Sequence, residues 1–270
     1  MTQLTWLLIF ICFIMLFVTS IKQQRSKYDT IPKIIWSFWD SDDIPDFIHK
    51  CIDSWKKYNP EYTVNFLSKT NLKDFVGEEE ANNMIDWKFN DSPQRLSDLI
   101  RLYVISKFGG VWLDASIVCF NSFEWIQNDG SDVIVFSIKE IAVEPCIESW
   151  FIAAVPNNNF VNAWNYEMRS IDTFNTIEDY AAANPDTSTE GIAYNLNYLI
   201  VYLCCRKAYN QYKATDTIHI MDASDGPYNY MVKGGIKSLC DEHGTFAKFR
   251  KDERKIMTPE VEACIFNPSV

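Results

Sequence analysis

The chain has 270 residues, with 36 acidic against 25 basic side chains and a formal net charge of −11. That balance leaves no basic stripe to neutralise phosphates and points away from nucleic acid. A content of 47% hydrophobic and 15% aromatic residues excludes intrinsic disorder and is enough to bury a sizeable core.

Leu4 to Ile21 carries no charge, and Lys22, Arg25 and Lys27 follow it. An apolar span of this length suits a hydrocarbon core of about 30 Å. Neither a positive leader nor a small-residue cleavage site accompanies it, which favours an uncleaved anchor over a signal peptide. Residues 1–28 are therefore expected to form one transmembrane helix with its basic flank, and 29–270 one α/β domain. Because the basic residues lie after the span, the positive-inside bias would leave the domain facing the cytosol.

Ile31 to Trp39 (IPKIIWSFW) reads as a first strand, bounded by the acidic run Asp40 to Asp43. Phe47 to Tyr58 has helical periodicity and stops at Asn59-Pro60, and Tyr62 to Leu67 is a second strand. Strand, helix and strand in such close succession predict a parallel crossover unit. Asn71 to Trp87 reads as a peripheral helix broken near Gly77, with Glu78 to Glu80 as solvated surface.

The central run is Ser97 to Ser116, SDLIRLYVISKFGGVWLDAS. Leu99, Ile100, Tyr103, Val104 and Ile105 give an apolar helical face, so Asp98 and Arg101, three residues apart, lie one turn apart on the same side. Gly109-Gly110 permits a tight reversal. The apolar strand Val111-Trp112-Leu113 then delivers Asp114 to its C-terminal tip, and ligands of open α/β sheets gather outside such tips. The plain alternative for each residue alone is structural: a helix-surface ion pair for Asp98 and Arg101, and a turn cap for Asp114.

Asp132 to Ile138 reads as a buried strand, and Glu148 to Ala154 as a further sheet element. Phe160 to Ile171 and Gly191 to Tyr209 read as helices with a mobile loop, Ala183 to Glu190, between them. Ile218 to Met221 is a short strand, and Asp222 to Tyr230 a turn-rich loop from which Asp225 or Tyr228 could reach a ligand. Of the eight cysteines, Cys12 lies in the anchor and Cys204-Cys205 in an apolar helix; with no zinc spacing present, buried thiols are the default.

Taken together, Ser97, Asp98, Arg101, Gly109, Gly110, Leu113 and Asp114 resemble the sugar-nucleotide core of the glycosyltransferases grouped as family 32, and most closely the capsular polysaccharide synthesis proteins. The resemblance implies a GT-A-like nucleotide-sugar-binding fold with a mixed, mainly parallel central sheet. It implies transfer of a hexose-type sugar, with retention, from a nucleotide diphosphate sugar to a glycan or polysaccharide acceptor. Asp98 and Arg101 are implied to grip the transferred sugar, and Asp114 to face the ribose and a Mn²⁺ or Mg²⁺ ion that bridges the diphosphate as a Lewis acid. The second acid of an Asp-x-Asp pair is here Ser116, a neutral and weaker metal ligand. Trp36 matches an aromatic that stacks on the donor base, with a core tryptophan as the competing reading. Lys248, Arg250 and Lys251 align with a basic stretch near the diphosphate, although solvated surface is the commoner fate of such residues. The family analogy implies a Golgi or secretory membrane with a luminal domain, against the charge bias. The loss of one acid also keeps open a membrane-tethered carbohydrate-binding protein on a decayed transferase fold.

Overall fold

The computed structural model describes residues 30–138 and 145–266, so the anchor expected over 1–28 lies outside the described residues. Among the described residues no helix is long and apolar enough to cross a membrane. The chain runs β1 (Ile34–Phe38), α1 (Asp46–Tyr58), β2 (Thr63–Leu67), α2 (Leu72–Val76), α3 (Glu78–Ile85), α4 (Pro93–Phe108), β3 (Gly110–Leu113), β4 (Ile117–Cys119) and α5 (Glu124–Asp129). It continues through β5 (Val133–Ser137), β6 (Ile147–Ala154), α6 (Asn159–Ser170), α7 (Ile177–Ala182), α8 (Leu196–Tyr212), β7 (Ile218–Asp222), α9 (Asn229–Val232), β8 (Phe246–Lys248), α10 (Lys251–Lys255) and α11 (Pro259–Phe266).

The main sheet has six strands in the order β2-β1-β3-β6-β5-β7. The pairs β1–β2, β1–β3 and β5–β7 are parallel, whereas β6 runs antiparallel to both β3 and β5. The sheet is thus mixed and mainly parallel, as the sequence suggests. Alternation along the strands divides the core into two. Trp36, Phe38, Trp112, Val133, Val135 and Ile152 pack on one side with residues of α4, α6 and α8. Ile35, Val111, Leu113, Ile134, Phe136 and Phe151 pack on the other with α1, β4 and β8. Both Val133–Ser137 and Ile147–Ala154, the latter including Glu148 and Ser149, are buried along their full length, as expected of strands covered on both faces.

Helix α4 starts about one turn earlier than the central run suggests from Ser97. Pro93 opens it, and the Ser92 hydroxyl accepts the Arg95 amide at 3.3 Å. It ends at Gly109 (φ 65°), and Gly110 follows with φ 96°. A Cβ on Gly110 would lie 2.6 Å from the Ile34 carbonyl oxygen, and one on Gly109 2.7 Å from the Pro156 ring. Here positive φ and close approach of neighbouring backbone both demand glycine.

Three features depart from the sequence reading. Ile117–Cys119, assigned no element from the sequence, is a strand that pairs antiparallel with β8 in a separate two-stranded sheet. The segment before the 183–190 loop contains α7, opened by a capping box between Thr176 and Asp179. Cys240 and Cys264 form a disulfide that ties the turn Ile236–Cys240 to α11, rather than lying as buried thiols. Cys51, Cys119, Cys146, Cys204 and Cys205 are free and buried.

Gly110→Ala is expected to cost at least about 2 kcal/mol, since it forces a side chain into positive φ against the Ile34 carbonyl. In a domain of this size that corresponds to a fall in Tm of about 4 °C or more, measured by thermal unfolding.

Candidate active site

Asp114 leaves β3 at the edge where the parallel strands end, and its backbone N–H donates to the Trp150 carbonyl at 2.9 Å. Because β6 runs in the opposite direction, its N-terminal residues, Glu148 and Ser149, arrive at that same edge. Helix α4 enters from one side with Ser97, Asp98 and Arg101, α8 brings Tyr202, and β8 brings Lys248.

Arg101 is the hub. Its Nη1 pairs with Asp98 Oδ1 at 2.7 Å and also donates to Ser149 Oγ. Its Nη2 donates to Asp114 Oδ1 at 2.9 Å and to Ser97 Oγ at 3.1 Å. The guanidinium carbon lies 5.3 Å from the Trp112 ring centroid, a cation–π contact. A planar fork of donors that never becomes neutral suits this junction better than a lysine ammonium would. The helix pair and the strand-tip acid, inferred separately from the sequence, are joined by this one side chain.

Asp114 is engaged at both oxygens. Oδ1 accepts from Arg101 and from Trp112 Nε1 at 3.0 Å, and Oδ2 accepts from Lys248 Nζ at 2.9 Å. The same ammonium donates to Ser116 Oγ at 2.9 Å. The Asp114 side chain remains 24% exposed, against 7% for Arg101 and 9% for Asp98, so of the two aspartates it is the one open to solvent.

These surroundings push the two aspartates apart. Burial would raise Asp114, but the Lys248 ammonium and the Arg101 guanidinium outweigh it and hold its carboxyl at about 2. At Asp98 burial wins over Arg101 and Arg95, and the carboxyl rises to about 6. Burial also raises Glu148, opposed by the hydrogen bond in which Tyr202 Oη donates to Glu148 Oε2 at 2.7 Å.

Several expectations need correction. Trp36 is 4% exposed, its Nε1 donates to the Gly109 carbonyl at 3.0 Å, and its ring stacks on Phe108 with centroids 5.5 Å apart. It braces the glycine turn from inside the core and offers no face to a nucleotide base. The divalent ion expected on Asp114 and Ser116 does not fit the donor set. Hard cations want several oxygen ligands, whereas Asp114 already balances two positive groups and the neutral Ser116 hydroxyl is taken by Lys248. Among the described residues no group of three or more His, Cys, Asp or Glu side chains is arranged to hold a metal.

Lys248, more readily assigned to the surface, is only 12% exposed in its side chain and sits in the cluster. Arg250 is 63% exposed and pairs with Glu253 at 2.8 Å. Tyr228, from the turn-rich loop, is buried edge-on against Trp150 with centroids 5.4 Å apart. Asp225 lines a separate apolar cavity of about 420 Å³ with Phe136 and Phe246. Tyr202 carried no site signal in the sequence, and Glu148 and Ser149 none beyond lying in a sheet element that resembles one near the acceptor side in the family.

Comparison with known proteins gives the following. The family model described as capsular polysaccharide synthesis protein matches residues 14–182. O-glycosyltransferase braB of Annulohypoxylon truncatum is 28% identical over 153 residues, which cover 50% of this chain and 36% of that protein. Glycosyltransferase afumC of Aspergillus fumigatus is 26% identical over 118 residues, covering 40% of this chain and 30% of that protein. The matched part thus spans about a third of the length of these relatives. Among solved structures, the PaToxG glycosyltransferase superposes with a TM-score of 0.41 and 17% identity, covering 94% of this chain and 93% of that one.

The shifted aspartates make opposite contributions to stability. Asp98 prefers its proton in the folded state, so its contribution is full below its ordinary value of 3.8 and is lost as pH rises to about 6. Asp114 contributes above 3.8 and loses that contribution as pH falls toward 2. Denaturant unfolding between about pH 4 and 6 should show the Asp98 part, on the order of 3 kcal/mol, disappear from the pH dependence in Asp98→Asn.

Proposed function

As the chain belongs to the capsular polysaccharide synthesis protein family, we propose that it is a glycosyltransferase with a GT-A-like site, moving a hexose-type sugar from a nucleotide diphosphate sugar to a glycan acceptor. The observation that carries this reading is the acid of the strand tip, Asp114, partly open to solvent and gripped between Arg101 of the preceding helix and Lys248 of the C-terminal strand.

In the transfer, the bond from the anomeric carbon to the β-phosphate oxygen breaks and its electron pair stays on the released nucleoside diphosphate. The acceptor hydroxyl oxygen bonds to the anomeric carbon, and its proton passes to the leaving phosphate oxygen. Negative charge therefore grows on the diphosphate while the sugar carbon turns positive, and preorganised charges of opposite sign lower that barrier. Lys248 supplies the cationic end. Asp114 supplies the partly exposed acid for ring hydroxyls and the developing positive charge, with Asp98 and Glu148 buried behind it. Arg101 fixes the spacing of the two aspartates and orients Ser149. Retention of anomeric configuration rests on the family resemblance alone.

The chain is further proposed to be held at a secretory membrane through Leu4 to Ile21, with its domain on the luminal side. The Cys240–Cys264 disulfide supports that side over the cytosolic one read from Lys22, Arg25 and Lys27, because such bonds persist in oxidising compartments.

Screening UDP- and GDP-hexoses by thermal shift and by release of free sugar tests the reading, since a ligand that binds only the native state raises its stability. One donor should raise Tm and be slowly hydrolysed. A donor that stabilises the protein but is neither hydrolysed nor transferred would make the chain a sugar-nucleotide-binding protein instead. With the active donor, Asp114→Asn should lower turnover by about 100-fold, as expected for losing the group that aims two cations at the reacting atoms. Its far-UV circular dichroism should stay native.

A further inference from the structure

The strand-tip acid usually invoked to hold a divalent ion here holds an ammonium. Lys248 Nζ lies 2.9 Å from both Asp114 Oδ2 and Ser116 Oγ, the two side chains at the positions of an Asp-x-Asp pair. We propose that Lys248 stands in place of the divalent cation, so that this chain binds the diphosphate of its donor, and transfers the sugar, without metal. The proposal rests on the glycosyltransferase reading and specifies the chemistry of its donor subsite.

Three observations carry it. The first is charge. With Ser116 in place of a second acid, the tip supplies one carboxylate, already shared by Lys248 and Arg101. A divalent ion there would meet two positive groups within a few ångströms, and the one carboxylate at the tip is already engaged by both of them.

The second is donor geometry. An ammonium has three N–H donors and no acceptor. Among the described residues, two of the Lys248 donors are directed to Asp114 and Ser116, which leaves the third for an anion. The ammonium is then positioned as a metal would be, with protein oxygens behind it and phosphate oxygens in front.

The third is how the lysine is held. Lys248 lies in β8, paired in register with Ile117 of β4, so its backbone is locked to the segment that follows Asp114 and Ser116. Its own backbone N–H donates to the Pro227 carbonyl at 3.3 Å, and its carbonyl accepts from Tyr230 Oη at 2.9 Å. The side chain is 12% exposed, so the charge is fixed in place before a donor arrives. The other charged groups facing it are Glu148, raised by burial, and Arg101 across Asp114.

Isothermal titration calorimetry of the full chain with UDP, GDP, CDP and ADP in turn, in EDTA and then with MnCl₂, decides the matter. One nucleotide should bind with Kd values that agree within about twofold in the two conditions, and Lys248→Met should weaken it by about tenfold or more in both. Thermal unfolding of Lys248→Met verifies that it is folded; if it is not, the wild-type comparison in EDTA alone decides. The double variant Lys248→Met with Ser116→Asp, which exchanges the ammonium for a second carboxylate, should bind the same nucleotide only with Mn²⁺. Wild-type binding that requires Mn²⁺, or metal-free binding untouched by Lys248→Met, overturns the proposal and leaves the transferase reading standing. Absence of binding by all four nucleotides in both conditions overturns both.

Discussion

The site depends on the Arg101 guanidinium being held between two carboxylates that come from different elements. Asp98 lies on the same helix, Asp114 at the tip of the next strand, and the Gly109–Gly110 reversal sets the distance between them. Burying any one of these charges alone would cost several kcal/mol, and removing one partner from such a cluster typically costs about 3–5 kcal/mol. The penalty makes the arrangement cooperative. Helix α4 cannot slide along β3 without stranding a charge, so the relative position of helix and strand tip is specified by electrostatics as well as by packing. The contact of the guanidinium with the Trp112 ring and the bond from Trp112 Nε1 to Asp114 tie that specification into the core.

The direction of β6 is the second constraint. In a wholly parallel sheet, the strand beside β3 would bring its C-terminal end to the active edge and a connecting loop after it. Antiparallel β6 instead brings its N-terminal residues, so Glu148 and Ser149 join the charged cluster from inside a regular strand. Residues on a hydrogen-bonded strand keep their geometry better than loop residues do, which suits groups that must orient a guanidinium and accept from Tyr202.

The C-terminal segment closes the site. After the last strand of the main sheet, the chain turns through 223–245 and returns as β8 against β4, bringing Lys248 to Asp114. The Cys240–Cys264 disulfide and the packing of Phe249 beneath Tyr230 anchor this return. The segment thereby supplies the charge that most strongly opposes the burial of Asp114 and holds that acid ionised. A carboxylate held ionised and a neighbouring one biased toward its proton give one cluster two acids of different character.

Local pattern carried much of this in advance. The apolar runs of Ile34–Phe38 and Val133–Ser137 announced buried strands, and the spacing of Asp98 and Arg101 placed them on one helical face, because period and burial are written in consecutive residues. The glycine pair and the acid after Leu113 were equally plain, since a reversal with positive φ admits little else. The fate of Trp36 was not, because a tryptophan at a strand position can face core or ligand, and only the seating of Phe75 and Phe108 against it decided for the core. Nor was Lys248, whose neighbours in sequence are other basic residues and whose partners, Asp114 and Ser116, are separated from it by 134 and 132 positions. A sequence fixes which side chains are available and the period at which they repeat. Which distant charges meet, and so whether the strand-tip acid faces a metal or an ammonium, is decided only when the chain closes on itself, because Coulomb energy depends on distance through space and not along the chain.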